Sequence, residues 1–190
     1  TQLISVVIFP AVTIAALFSF PLLHLWTQSS DTALNTAPIL AILLIGTAIN
    51  ILMNVPYYLT IAYGWTSLGF FMNLVSLFLI VPLMIVLSLR WGGIGAALTW
   101  VILNTGYLLI APRLIHRRFL QGELWHWYLV DIGLPLSVCL ITAGIGRWIM
   151  PANLSAPLTL VGIFFVACIT QGMTVLFTPA PRKWLLLIPS

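Results

Sequence analysis

Apolar residues are grouped along this chain into long blocks, at 3–25, 33–62, 68–89, 92–111, 129–150 and 158–177, with short polar breaks between them. A helix needs about 20 apolar residues to cross the roughly 30 Å hydrocarbon core of a bilayer, and each block reaches or exceeds that length. The pattern predicts an all-α integral membrane protein of about six transmembrane helices. The breaks agree with that reading. His24 and Trp26 close the first block before the polar stretch 27–32, Tyr57, Tyr58 and Tyr63 gather toward the end of the second, and Arg90 with Trp91 closes the third. Aromatic rings and long cations are the residues that settle at the headgroup interface. The longest polar connection, 113–128, holds Arg113, His116, Arg117, Arg118, Glu123 and His126 and reads as a basic loop. A second polar turn spans 151–157, and the chain ends in Arg182, Lys183 and a brief apolar tail. No repeat of 20–50 residues is visible in the letters.

Composition removes the soluble alternative. Hydrophobic residues make up 62% of the 190 and charged residues 5%, where a soluble domain carries about a quarter charged residues. Asp31 is the only charge between Thr1 and Leu89, and so long an uncharged stretch makes no water-facing exterior. The net charge of +4 comes from scattered side chains rather than a basic stripe, which argues against nucleic acid. With six spans, Arg113, Arg117, Arg118, Arg182 and Lys183 fall on one side of the membrane and only Arg90 and Arg147 on the other. The excess of basic residues in cytoplasmic loops then predicts that both termini are cytoplasmic. Cys139 and Cys168 lie in apolar blocks, where a thiol acts as a small hydrophobe. The start at Thr1, with neither an initiator Met nor a basic leader, leads us to expect a fragment whose missing part lies upstream.

Few residues offer chemistry. The three histidines accompany no recognisable nucleophile motif, so no catalytic residue is assigned and an enzyme is not expected. Glu123 and His126 form one E-x-x-H, a spacing that can place two metal ligands on one helix face; di-metal sites of that kind need a second copy and further carboxylates, so neither a metal nor a cofactor is expected. Gly92, Gly93 and Gly95 complete no nucleotide-binding pattern and are read as a place where helix backbones pack closely. Asn50 and Asn54 stand one helical turn apart, so their amides share a face, which Asn73 and Asn104 can join to line a polar cavity or to bond across helices. Arg147, a cation inside the fifth block, either reaches the nearby interface or binds a phosphate group. Asp131 lies at the opposite end of that block. Pro10, Pro21, Pro38, Pro56, Pro82 and Pro135 each remove a helix hydrogen bond and predict bends.

The order of these features resembles a known family. Ala37-Pro38-Ile39-Leu40 opens the second helix, Ala62-Tyr63-Gly64 closes it, Asn73 sits in the third, and Trp91-Gly92-Gly93-Ile94-Gly95-Ala96-Ala97 opens the fourth. Together they resemble the C-terminal half of polysaccharide-biosynthesis membrane proteins, the O-antigen and exopolysaccharide flippases related to multidrug exporters, over about residues 1–118. That resemblance implies one lobe of a transporter of about 12 to 14 helices arranged around a central cavity, working by alternating access. It implies translocation of lipid-linked oligosaccharide across the bacterial inner membrane. The partners it implies are membrane lipids, that substrate and a missing N-terminal lobe. Asn50, Asn54, Asn73 and Arg147 are the candidate substrate-binding residues. Two alternatives stay open: a drug or small-solute exporter coupled through Asp131, and a membrane-embedded glycosyl- or acyltransferase.

Overall fold

A computed structural model describes residues 1–151 and 154–181. Arg182 and Lys183, counted above toward orientation, lie outside them. The described residues are helical almost throughout: α1 (Gln2–Leu17), α2 (Ser19–Thr27), α3 (Ser30–Ala62), α4 (Thr66–Phe119), a short α5 (Leu124–His126) leading into a wide π-helical turn (Trp127–Gly133), α6 (Leu134–Ile149) and α7 (Ala156–Phe177). Among the described residues, four helical stretches are long and apolar enough to cross a membrane, five when the bent α1–α2 pair is one span. Their surfaces are apolar: Phe78 is 72% exposed, Leu89 82% and Trp148 87%. So broad an apolar exterior is suited to lipid and unsuited to water.

The bend between α1 and α2 is 68° and falls at Phe18. Phe18 is no helix breaker by itself. Pro21 lacks the N–H that would bond the Leu17 carbonyl, and its ring crowds that carbonyl four residues upstream. Helical bonding resumes at once, from Leu22 N–H to the Phe18 carbonyl at 3.0 Å. Pro10 lies inside α1 without ending it.

The chain divides into two compact units, Thr1–Ala41 with His126–Ser190, and Ile42–Trp125. In the first, α1 packs on α6 and α7. Trp127 Nε1 donates to Thr1 Oγ1 at one end of α1 and Arg147 meets Phe18 at the other, so α1 and the α5–α6 stretch run parallel. Helix α7 returns antiparallel: Gln171 bonds the Val6 carbonyl, while Ile163 packs with Ile14, Phe18 and Ala143.

In the second unit, α4 is two helices. A straight helix of 54 residues would measure roughly 81 Å. Gly92 interrupts it with φ 57° and ψ −133°, a backbone region that a residue with a Cβ avoids. The arms 66–91 and 93–119 then fold back on each other, because residues at similar distances on either side of the break meet. Tyr107 bonds Asn73, Arg118 lies over the Trp65 ring, and a Cβ on Gly95 would collide with the Leu87 carbonyl. Gly93, between the two special glycines, is exposed. Each arm of about 26 residues measures roughly 39 Å, enough to cross a bilayer alone. The last part of α3 joins these arms, and the Trp100 indole lies over Gly46 and donates to Thr47 Oγ1 at 3.4 Å.

Two boundaries differ from the sequence reading. The stretch 113–119 is helix rather than loop, since α4 runs through Pro112 to Phe119. His116 Nδ1 lies 2.8 Å from the Pro112 carbonyl, and three basic residues occupy the last turn, where the helix dipole favours cations. The fifth apolar segment begins at Leu124 rather than 129, because the π-helical turn carries helical structure back from α6.

Gly95→Val is expected to force the arms apart at a cost of about 1–3 kcal/mol, lowering the melting temperature in detergent. Gly106→Ala, where an added Cβ meets nothing within 4 Å, should leave melting unchanged or raise it slightly.

Candidate functional site

Helical spacing draws polar side chains to one place in the second unit. Asn50, Asn54 and Tyr57 recur at i, i+4 and i+7 on α3, and Asn104, Tyr107 and Ala111 recur at i, i+3 and i+7 on the second arm of α4. The hairpin at Gly92 brings Asn73 of the first arm opposite Tyr107. Between the three helices lies a cavity of about 160 Å³ lined by Asn50, Asn54, Tyr57, Thr60, Asn73 and Tyr107, with Met53, Leu68, Gly69, Met72, Ala111 and Ile115 as apolar walls.

Hydrogen bonds organise this cavity on two levels. At its base Asn50 Nδ2 donates to Asn104 Oδ1 at 2.8 Å, and Asn104 Nδ2 donates to the Trp100 carbonyl at 2.8 Å. Asn104 is fully buried, so its amide has bonds in place of solvent. Further along, the Tyr107 hydroxyl donates to Asn73 Oδ1 at 2.8 Å. Thr60 is buried, and its hydroxyl is turned to the Tyr57 carbonyl at 2.7 Å. Asn54 is exposed and makes no side-chain hydrogen bond among the described residues. A space of this size holds about five waters or one sugar-sized ring.

Asn50, Asn54 and Asn73 therefore line one cavity, with Asn104 bonded behind them. Arg147 belongs to the first unit, where it lines a separate cavity with His24. No motif marks Tyr107 or Thr60; the i, i+3 spacing of Tyr107 from Asn104 is the sequence signal that places both on one helix face. A third cavity, in the first unit, is lined by Asp131, His126 and Gln2, and Gln2 Nε2 donates to Asp131 Oδ1 at 2.8 Å. Among the described residues no three His, Cys, Asp or Glu side chains gather in a way that could hold a metal. Glu123 and His126 belong to no such group. Both cysteines are free thiols, and Cys139 Sγ lies 3.1 Å from Thr174 Oγ1.

The fold and this polar cavity define the class: a multi-helix protein built for a membrane, of a general kind consistent with transport. Comparison of the chain with protein-family models, with curated proteins and with solved structures gives no match.

Removing either member of the Asn50–Asn104 pair should cost about 1–2 kcal/mol, and the double variant Asn50→Leu with Asn104→Leu less than the sum. A double-mutant cycle on unfolding in mixed micelles measures the coupling.

Proposed function

We propose that this chain is one lobe of a flippase for lipid-linked oligosaccharide in the bacterial inner membrane. The observation that carries the reading is the asparagine- and tyrosine-lined cavity set among helices whose outer surfaces are apolar. Neutral amides and hydroxyls match sugar hydroxyls, and polar groups inside membrane helices point inward to a cavity or pathway. With α1–α2 as one bent span and α4 as two, the chain crosses six times and both termini are cytoplasmic. The work is movement without covalent chemistry, by rocking against an N-terminal lobe on another stretch of chain. The cavity takes one ring at a time. The larger part of an oligosaccharide would occupy the space between lobes.

The test uses the full-length parent gene. Its deletion should abolish surface polysaccharide while lipid-linked precursor accumulates on the cytoplasmic side. Unchanged polysaccharide and precursor would reject the reading. In the same assay Asn54→Leu with Asn73→Leu is expected to slow export about fivefold to tenfold at unchanged protein level, the effect of losing one or two hydrogen bonds to substrate.

Asp131 favours a second reading, a proton- or ion-coupled exporter of small solutes. It is a half-buried carboxylate on a π-helical turn, held by Gln2. Such turns are frequent at functional sites. Asp131→Asn should then abolish efflux of a dye or drug while polysaccharide export continues; efflux equal to wild type excludes this reading.

A further inference from the structure

Where α6 ends and α7 begins, the first unit forms a half-open cavity of about 350 Å³ whose lining includes the exposed Arg147 with His24, Phe18, Gln28, Ala156 and Thr159. Its charge balance is one-sided, because none of its lining residues is a carboxylate. Asp31, close in sequence, is outside the lining and accepts from the Asn35 amide at 3.3 Å. The Arg147 guanidinium lies 5.6 Å from the centre of the Phe18 ring. That ring stands at the α1–α2 bend, so the bend itself shapes the wall behind the cation.

A second observation marks the cavity as a binding place. The Nδ1 atom of His24 is shielded from solvent and has no hydrogen-bond partner. A buried polar atom left unmatched is costly, and a turn of the half-buried ring toward the cavity would let a ligand oxygen satisfy it when that nitrogen carries the proton. The start of α7 adds a third donor set. Ser155 provides no side-chain cap, and the first N–H of this 22-residue helix belongs to Ala156, on the cavity lining, followed by Pro157, which has none. Helix starts favour anions through these N–H groups and the dipole. Gln28 and Thr159 are already engaged, with the Leu25 carbonyl at 2.6 Å and the Ser155 carbonyl at 3.1 Å, which leaves Arg147 and His24 as the side chains for a ligand.

We propose that this cavity binds the phosphate of an anionic membrane lipid. An arginine that only snorkels needs no walled space, no unmatched imidazole and no helix start beside it. The position at helix ends puts the phosphate at headgroup depth, and Phe18 lies beside it as apolar wall, which favours a lipid over a free anion. This inference concerns the first unit alone and is independent of the flippase reading.

The experiment places the full chain in nanodiscs of phosphatidylcholine containing a minor fraction of phosphatidylglycerol and counts retained lipids by native mass spectrometry after gentle delipidation. Wild type should retain phosphatidylglycerol over phosphatidylcholine, and Arg147→Gln should lower that enrichment about fivefold. Arg147→Lys, which keeps the charge and the fold but loses the bidentate fork, should give an intermediate value. Arg90→Gln, at an exposed arginine outside the cavity, should leave enrichment unchanged. Equal enrichment in wild type and Arg147→Gln overturns the proposal, as does an equal fall in Arg90→Gln, which would mean general surface attraction. Stabilisation by millimolar inorganic phosphate without any lipid enrichment also overturns it, by assigning the cavity to a free anion.

Discussion

In an apolar solvent every backbone N–H and C=O has to be bonded within the chain, and this requirement governs where the protein is regular and where it breaks. Nearly all described residues are helical for that reason, whatever their side-chain propensity. Breaks occur only where particular residues make them tolerable. At Phe18 the discontinuity follows from Pro21, and the N–H of Phe18 itself still finds the Ile14 carbonyl at 2.9 Å. At Gly92 the absence of a Cβ allows a positive φ, and the smallness of Gly95 lets the returning backbone lie against Leu87. The hairpin that results sets the register of the second arm, including which side chain faces Asn73.

Much of the architecture was legible because apolar length reports a membrane span directly. The break between the apolar blocks 68–89 and 92–111 marks the reversal, while the glycines at 92, 93 and 95 read only as a place of close helix packing. The bend at Phe18 was not legible at that residue, since proline acts on the carbonyl four residues earlier and Pro10 shows that it need not break a helix at all. Helix at 113–119 was hidden by its own charges: Arg113, Arg117 and Arg118 look like a solvated loop, yet cations complement the end of a helix.

The cavity was half legible for a different reason. Spacing on one helix placed Asn50 beside Asn54, because a helix has a fixed period. Pairings between helices depend on register, which no local pattern records. Tyr107 reads as one more aromatic in an apolar run until the arms fold together and its hydroxyl meets Asn73. Arg147 shows the converse. It shares a sequence character with the asparagines, a polar residue in an apolar span, but packs within the other unit and so faces different neighbours.

The polar side chains of the second unit also differ in what they are free to do. Asn104 is wholly buried and has bonds through both its oxygen and its nitrogen, so moving it would strand polar atoms in an apolar interior. That makes the Asn50–Asn104 contact a fixed joint between α3 and the second arm of α4. Asn73 and Asn54 are exposed on the same cavity, one carrying a single interhelical bond and the other none among the described residues. Hydrogen bonds between membrane helices contribute only about 0.6–2 kcal/mol, so the Tyr107–Asn73 bond is exchangeable for one to a ligand hydroxyl at small net change. A joint that stays closed next to a bond that trades partners is what a cavity needs if it is to accept a polar group and release it again, without coming apart each time it does so.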